Sequence, residues 1–335
     1  MPTPVVLTLD EIETLSKRFF LREGFSQALA TALARRMRLA ERDGPASHGL
    51  AMLGYYRQVA QSGNLDLAAR PEARVLRPGL MAVDCGNSFA QAGLDMARPA
   101  FIDMVHKQGS AVLTTRRAHY IAALRHDVLP LADAGLIAIM VCGSRPWVVP
   151  HGGARAVFGT NPMAFACPRG DSPPIVWDQA VSLKAISDVR LAHEEGAVFD
   201  APVGLDTRGQ PSADPAAVIE GQRLFTYGDH KGTAIALMIE VLAAGLCGGR
   251  FAVEYDETES PTNPTGQTII AIDPGAADPG FAAHMSALLA GFAGNGSARI
   301  PGDGRFARAA QAEQHGVELP GWLVDRLTGL GIALP

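Results

Sequence analysis

The chain has 335 residues, 47% of them hydrophobic and 19% charged, which is the composition of a globular protein large enough for about two domains. Its 29 Lys and Arg residues are outnumbered by 34 Asp and Glu residues, for a net charge of −5 at pH 7. Because the chain has no block of basic residues, we do not expect it to bind nucleic acid or an anionic membrane. No segment reaches the roughly 18 uncharged apolar residues of a membrane span.

The four cysteines are far apart, and they form no CxxC pair and no Cys/His cluster. This spacing is typical neither of a zinc site nor of a secreted disulfide framework. The N-terminal residues also lack the basic and apolar regions of a signal peptide. We therefore expect reduced thiols, no metal and a cytoplasmic protein. The cysteines are Cys85, Cys142, Cys167 and Cys247.

Three helices are predicted in the first 63 residues. Thr8 and Glu11 form a capping box before an apolar pattern of helical period that stops near Gly24. Two further helices have Ser residues as candidate N-caps and end at glycines. Their caps and ends are Ser26 and Gly44 for the second helix, and Ser47 and Gly63 for the third.

Beyond this region, short apolar runs bounded by Gly and Pro predict strands, and helical stretches alternate with them. The predicted strands begin at Met81, Ser110, Leu136, Pro174 and Thr268, and the predicted helices begin at Leu94 and Ala123. The alternation favours a mixed α/β fold. Residues 196–228 are rich in turn residues and form a long excursion. An apolar helix opened by Gly232 then follows His230 and Lys231.

Two stretches are candidates for phosphate binding, although the chain has no complete GxGxxG motif. Lys231 and Gly232 stand at a helix start, where free N–H groups bind anions. A basic loop near the C-terminus contains Arg299, Arg305 and Arg308. An ordinary surface lysine and a solvated basic turn remain the alternatives.

Ser47 and His48 are a candidate proton-transfer pair, because a hydroxyl group can orient an imidazole that titrates near neutral pH. A helix cap followed by a first-turn histidine is the alternative. The glycine-rich stretch from His151 to Thr160 could form a close-contact loop, since glycines let the backbone approach a ligand. A plain connection between strands fits that stretch equally well.

Several segments together resemble the second-type malate/L-lactate dehydrogenase family, and within it the Δ1-piperideine-2-carboxylate/Δ1-pyrroline-2-carboxylate reductases. The resemblance spans nearly the whole chain. The segments are SHG at Ser47, PHGG…FGTNPMAFACPRG from Pro150, DQA at Asp178, DHKGTAIALMIEVLAAGLCGGRF from Asp229, TGQ at Thr265 and IPGD at Ile300.

The resemblance implies a mixed, non-Rossmann α/β fold that binds NADPH, with an N-terminal helical region, in a homodimer. It divides the chain into residues 1–117 with 285–335, for dimerisation and substrate, and residues 118–284, for NAD(P)H. It implies that His48 is the proton donor, that Ser47 and Asp188 are its relay partners, and that Thr160 contacts the substrate. The implied cofactor contacts are Tyr120, Ile121, Ala122, Ala123, Leu124, Asp178, Gln179, Ala180, His230, Lys231, Gly304, Arg305 and Arg308.

Three positions on the substrate side depart from the family pattern. Met52 stands where the family usually has an arginine that would bind the substrate carboxylate bidentately. Val181 replaces a Ser or Thr, and in RRAHYIA either His119 or Tyr120 replaces a second histidine. We expect Met52 and Val181 to line the substrate site. Arg117 or Arg145 could supply the missing guanidinium group.

The resemblance predicts an NAD(P)H-dependent oxidoreductase that reduces a small cyclic imine or a 2-oxo acid, with His48 as proton donor and no metal. NADPH is the expected cofactor, and NADH remains open. One alternative is a reductase of the same fold whose substrate lacks the α-carboxylate, because Met52 offers that group no partner. The other is a dinucleotide-binding protein without turnover.

Overall fold

The computed structural model describes residues 5–44, 48–256, 262–293, 295–296 and 298–334. The helices are α1 (Leu9–Arg22), α2 (Gln27–Asp43), α3 (Leu53–Gln61), α4 (Gln91–Gln108), α5 (Arg125–Asp133), α6 (Ile186–Glu194), α7 (Pro215–Gly221), α8 (His230–Glu240), α9 (Pro274–Ala277), α10 (Phe281–Ala293), α11 (Asp303–His315) and α12 (Gly321–Gly329). Short 3-10 helices span Leu50–Met52 and Ala252–Glu254, and a π-helical turn, Val241–Gly245, continues α8.

Strands and helices alternate through the middle of the chain, so the fold is the mixed α/β type predicted. The strands are β1 (Val5–Leu7), β2 (Glu72–Arg77), β3 (Leu80–Phe89), β4 (Ser110–His119), β5 (Ile137–Cys142), β6 (Pro146–Val149), β7 (Phe158–Gly159), β8 (Met163–Arg169), β9 (Ser172–Gln179), β10 (Gly204–Leu205), β11 (Pro211–Ser212), β12 (Leu224–Phe225), β13 (Gln267–Ile272) and β14 (Val317–Leu319).

A seven-stranded sheet in the order β2-β3-β4-β13-β5-β8-β9 forms the centre of the fold. Its only parallel pair among the described strands is β3 with β4, joined through α4 as a βαβ unit. Phe101 of α4 and Val128 of α5 are fully buried against the sheet. Since β4 spans residues 110–119, the sheet crosses the domain boundary expected between residues 117 and 118. The domain division stays a prediction.

A second sheet, in the order β11-β10-β12-β6-β7, packs under α8. The turn-rich residues 196–228 supply three of its short strands and α7. One of the chain segments that join the two sheets leaves β9 at Gln179, and Ser182 then pairs with Thr226 beside β12. The end of the large sheet therefore lies beside the second sheet.

The N-terminal helices form a separate core that contains several aromatic side chains. Phe20 packs edge-on against Phe25 and Tyr56, with ring centroids 5.3 and 5.2 Å apart. The capping box of Thr8 and Glu11 is present, and α1 begins and ends as the sequence predicts. The short pairing of β1 with β14 brings the two ends of the chain together next to this core.

Four helix starts differ from the sequence prediction, among them those of α4, which begins at Gln91 and not at Leu94, and α5, which begins at Arg125 and not at Ala123. The third helix does not begin at Ser47: a 3-10 turn starts at Leu50, and its N-cap is Gly49. Ser47 itself lies outside the described residues. The apolar helix α8 starts at His230, two residues before Gly232. Gly232 is required for packing, because a Cβ there would lie 1.9 Å from the carbonyl oxygen of Tyr227.

All four cysteines are unpaired and buried, as expected for reduced thiols. No helix in the described parts of the chain is long and apolar enough to span a membrane. Within the same parts, no group of three or more His, Cys, Asp or Glu side chains is arranged to hold a metal ion.

Candidate active site

A network of charged side chains joins the end of α2 to the start of α5, β9 and α11. Arg125 donates from Nε to Asp43 Oδ2 over 2.9 Å, and its Nη1 lies 3.2 Å from Asp178 Oδ2. Arg305 approaches the same Asp178 carboxylate at 3.4 Å, and Arg308 Nε donates to the Asp43 carbonyl oxygen over 2.9 Å. Three of the expected cofactor residues, Asp178, Arg305 and Arg308, therefore belong to one network.

Asp43 anchors this network and is itself only 6% exposed. Burial raises its pKa, but the hydrogen bond from His126 Nε2, at 3.0 Å, and the charges of Arg42 and Arg125 outweigh burial. The net result is an Asp43 pKa well below its usual value. Burial lowers the pKa of His126, so a neutral imidazole donates to an ionised Asp43.

His48 follows α2 by five residues and lies within electrostatic reach of this network. Burial lowers its pKa to about 4; the Asp178 carboxylate raises the pKa, whereas Arg125 and His126 lower it further. At pH 7 the imidazole is therefore neutral in the protein alone. Its expected partner Ser47 is not among the described residues.

The expected relay partner Asp188 lies in the first turn of α6 and is exposed. The carboxylate that acts on the pKa of His48 is that of Asp178. Arg190, also in α6, acts electrostatically on the Tyr55 hydroxyl, so the helix lies near α3. The relay role of Asp188 stays a prediction.

The segment after Asp178 connects the charged network to the other expected binding residues. Gln179 is exposed and Ala180 is partly buried. Val181 N donates to the Thr160 carbonyl oxygen over 2.8 Å, and Tyr227 N donates to the Val181 carbonyl oxygen over 3.0 Å. The side chain of Val181 is fully buried in the core of the second sheet, so it is its backbone that positions Thr160.

Three residues after Tyr227, α8 begins with the exposed side chains of His230 and Lys231. The helix start is held by its neighbours, because the His151 backbone N–H donates to Thr233 Oγ1 over 2.8 Å. The glycine-rich stretch beginning at His151 thus packs against the start of α8. Gly304 is exposed in the first turn of α11, beside Arg305.

Residues 120–124 form a buried support at the start of α5. The Tyr120 hydroxyl donates to Asp127, and the Tyr56 hydroxyl donates to the Ile121 carbonyl oxygen. Ala122, Ala123 and Leu124 are 7%, 3% and 1% exposed. These contacts fix the backbone that leads directly into Arg125.

The substrate side of the site is built around α3. Met52 and Tyr55 are one helical turn apart, and both are partly buried. Burial raises the pKa of Tyr55, although the Arg145 guanidinium group donates a hydrogen bond to its hydroxyl oxygen. Arg145 follows Ser144, whose Oγ lies 3.1 Å from Thr160 Oγ1.

His119 and Tyr120, the two candidates for the family's second histidine, both have structural contacts. His119 Nδ1 contacts Thr262 Oγ1 at 2.5 Å, and Nε2 contacts Asn87 Oδ1 at 3.1 Å. The phenol of Tyr120 contacts Asp127, as described above. Each polar group therefore stabilises the fold around the site.

Sequence reasoning missed Asp43 and Arg125, which connect the site. They are 82 residues apart in the chain, so no local motif joins them. One signal was available: Asp43 is an acidic residue at the C-terminal end of a helix, where the helix dipole disfavours a negative charge. An acidic residue in that position suggests a cationic partner elsewhere in the chain.

The chain is similar over nearly its whole length to several known enzymes. The chain is 40% identical over 319 residues, 94% of each protein, to a Δ1-pyrroline-2-carboxylate/Δ1-piperideine-2-carboxylate reductase of Pseudomonas putida. It is 32% identical over 332 residues, 98% of each protein, to a (2R)-3-sulfolactate dehydrogenase (NADP+) of Chromohalobacter salexigens. The crystal structure of Δ1-piperideine-2-carboxylate reductase from Pseudomonas syringae superposes with a TM-score of 0.93 at 38% identity, over 97% of this chain and 99% of that one.

The sequence model of the malate/L-lactate dehydrogenase family matches residues 7–328. That match covers nearly the whole described chain, and the crystal structure from Pseudomonas syringae shares its fold. The chain belongs to the malate/L-lactate dehydrogenase family and is an oxidoreductase.

Proposed function

We propose that the protein is an NADPH-dependent reductase of small cyclic imines that carry an α-carboxylate, or of 2-oxo acids, with His48 as proton donor. The main observation that supports this proposal is that His48 lies within electrostatic reach of Asp178 and Arg125. The same Asp178 carboxylate contacts Arg305 in the first turn of α11. The expected proton donor and the expected cofactor residues thus meet in one network.

The charges of this network fit a dinucleotide. In the described part of the chain it contains four guanidinium groups, those of Arg42, Arg125, Arg305 and Arg308, and two carboxylates, those of Asp43 and Asp178. Burial, followed by the positive charge of Arg125, lowers the pKa of Arg305. The positively charged Arg125 and Arg305 therefore repel each other. The negative charge of bound phosphate groups would offset this repulsion, so the site suits an anionic ligand.

We assign the phosphates to Arg305, Arg308 and Lys231. NADPH is favoured over NADH because Arg305 and Arg308 are available for a 2′-phosphate, as an arginine is in other NADP sites. The sulfolactate dehydrogenase relative carries NADP+ in its name. NADH stays possible as a weaker cofactor.

A bound reduced nicotinamide would supply the hydride that reaches the C=N or C=O carbon of the substrate. His48 would deliver the proton to the nitrogen or oxygen atom. Because its pKa is lowered to about 4, His48 must gain a proton within the complex. A substrate carboxylate close to the imidazole would favour that proton, since an opposite charge stabilises the charged form.

The proposal includes a homodimer. Apolar side chains are exposed on α8, on the π-helical turn that continues it and on the residue that follows this turn, with Leu237 at 56%, Val241 at 55% and Leu246 at 52%. Leu237 and Val241 are four residues apart and share one helix face. Contiguous exposed apolar surface of this kind marks a protein interface, and a second copy of the chain is the proposed occupant.

The test is NADPH oxidation by the purified protein with Δ1-piperideine-2-carboxylate, Δ1-pyrroline-2-carboxylate and pyruvate. We expect turnover with at least one of them, and His48→Ala should lower kcat by about 10²–10⁴-fold, as for a lost general acid. The control is His284→Ala on α10, where the histidine is exposed and paired with Asp278. NADPH binding without oxidation across the panel would support the dinucleotide-binding protein instead.

A further inference from the structure

Arg145 occupies a fixed position beside the residue expected to contact the substrate. It lies between β5 and β6, directly after Ser144. Ser144 N donates to Asn161 Oδ1 over 3.2 Å, and Ser144 Oγ lies 3.1 Å from Thr160 Oγ1. Asn161 is fully buried and donates in turn to Glu240 over 2.8 Å. The backbone that carries Arg145 is therefore held next to Thr160.

The side chain of Arg145 reaches α3, on the side of the site where Met52 lies. Its guanidinium carbon lies 4.9 Å from the centroid of the Tyr255 ring, and the group donates to the Tyr55 hydroxyl oxygen. Tyr55 is three residues after Met52, so the two side chains share one face of the helical segment. The guanidinium group thus lies close to the position from which the family's arginine is missing.

The chemistry of the Arg145 side chain suits a carboxylate ligand. Its guanidinium carbon lies over the Tyr255 ring, and a guanidinium group has five N–H donors that lie in its plane. Burial raises the pKa of Tyr55, so the phenol keeps its proton and can donate as well. A planar guanidinium fork binds a carboxylate through two parallel hydrogen bonds.

Arg117, the other candidate for binding the substrate carboxylate, pairs with Asp84 instead. Its guanidinium group lies 2.7 Å from Asp84 Oδ1, and its side chain is 62% exposed. The neighbouring Arg116 contacts the same carboxylate at 2.8 Å. Arg117 is therefore one of two exposed cations of β4 that pair with Asp84 of β3.

We propose that Arg145 binds the α-carboxylate of the substrate, in place of the arginine that Met52 replaces, with the Tyr55 hydroxyl as a second donor. The inference rests on the proposed reductase function and adds the residue that selects the substrate class. The carboxylate-binding residue thus lies in the β5–β6 connection instead of the 3-10 turn that precedes α3. It therefore prefers ring imines that carry an α-carboxylate over those that lack one.

The test compares Δ1-piperideine-2-carboxylate with Δ1-piperideine, which lacks only the carboxylate. Arg145→Met, which keeps an apolar stem against Tyr255, should lower kcat/KM for the carboxylate substrate by about 100-fold, mainly through KM. Its kcat/KM for Δ1-piperideine should change little. Arg145→Lys keeps the charge and should keep the preference for the carboxylate. Arg117→Met is the matched control and should behave as the wild type with both substrates.

Binding of pyridine-2-carboxylate, a flat non-reducible carboxylate, gives a readout that does not depend on turnover. Calorimetry with the NADPH-loaded protein should show binding to the wild type and to Arg117→Met, and loss of binding to Arg145→Met. Three results would overturn the role of Arg145: wild-type kcat/KM in Arg145→Met, equal losses with both imines, or a wild-type preference for Δ1-piperideine. No reduction of any substrate by a wild type that still binds pyridine-2-carboxylate through Arg145 would instead overturn the proposed function.

Discussion

The pKa of His48 depends on identifiable neighbours, which makes its electrostatic environment testable. Burial lowers this pKa to about 4, Asp178 opposes burial, and Arg125 adds to it. The imidazole is thus held neutral at pH 7 and close to a carboxylate. Such a group titrates readily when the surrounding charge changes, which suits a proton donor.

Replacing Arg125 by Gln should raise the pKa of His48, because a positive charge that disfavours the imidazolium form is removed. Arg125→Lys keeps the charge and should leave the pKa near its wild-type value. NMR titration of the imidazole resonances measures both. The internal control is His119, whose pKa burial alone lowers to about 4; it should titrate unchanged in both variants. An unchanged His48 pKa in Arg125→Gln would contradict the proximity of the two groups.

At the scale of secondary-structure elements, local signals predicted the fold well. The Thr8–Glu11 capping box and the Ser26 cap of α2 are both present, because each depends on residues no more than three positions apart. The strands starting near Ser110 and Thr268 are also confirmed, as β4 and β13. The contact of β4 with β13 joins residues more than 150 positions apart, and apolar alternation does not specify such a partner.

In the candidate site, too, residues within local motifs could be predicted from the sequence, whereas their partners far along the chain could not. Family motifs indicated Asp178, Arg305 and Arg308: Arg305 contacts Asp178, and Arg308 contacts Asp43 in the same network. The resemblance could not show that Asp43 and Arg125 join them, because these residues belong to no motif. It also left Arg117 and Arg145 equivalent as candidates, since only the fold shows that one pairs with Asp84 and the other reaches Tyr55.

Two adjacent residues at the start of α8 have different expected roles: Lys231 binds the cofactor and Gly232 allows close packing. Lys231 is exposed, whereas a Cβ at Gly232 would lie 1.9 Å from the Tyr227 carbonyl oxygen. We expect Lys231→Ala to weaken NADPH binding by about tenfold, through the loss of a charge-assisted contact, and to leave the melting temperature unchanged. Gly232→Ala should lower the melting temperature, because the helix must move away from Tyr227. Fluorescence titration and calorimetry measure the two effects, and unchanged NADPH affinity in Lys231→Ala would remove the phosphate assignment.

For the whole molecule, a buried ion network connects the N-terminal helices to the large sheet. Arg36 of α2 is 1% exposed. It contacts Asp95 of α4 at 2.6 and 2.8 Å and Asp127 of α5 at 2.5 Å. Asp127 also accepts the Tyr120 hydroxyl, at the support beneath the candidate site. One guanidinium group therefore links the N-terminal core, the helices on the sheet and the site.

Replacing Arg36 by Met should lower the free energy of unfolding by about 3–5 kcal/mol, because the fully buried Asp127 and the partly buried Asp95 lose the guanidinium group that lies nearest to Asp127 and contacts both oxygens of Asp95. The matched control is Arg74→Met, since Arg74 forms an exposed pair with Glu72 at 2.9 Å and such pairs contribute at most about 1 kcal/mol. Denaturant unfolding at several pH values measures both variants. A wild-type denaturation midpoint in Arg36→Met would contradict the structural role of the network.

The stability lost in Arg36→Met should decrease as the pH falls. Burial raises the pKa of Asp95, but the hydrogen bond and charge of Arg36, with the charge of Arg98, outweigh burial and leave the pKa below its ordinary value. A carboxylate whose folded pKa is lowered stabilises the protein above its unfolded pKa, about 3.9, and this contribution is lost as the pH falls through the folded pKa. The difference between the wild type and Arg36→Met should therefore be constant near neutral pH and narrow below about pH 4. A difference that stays constant as the pH falls below 4 would show that Arg36 acts through packing and not through its ion pair with Asp95.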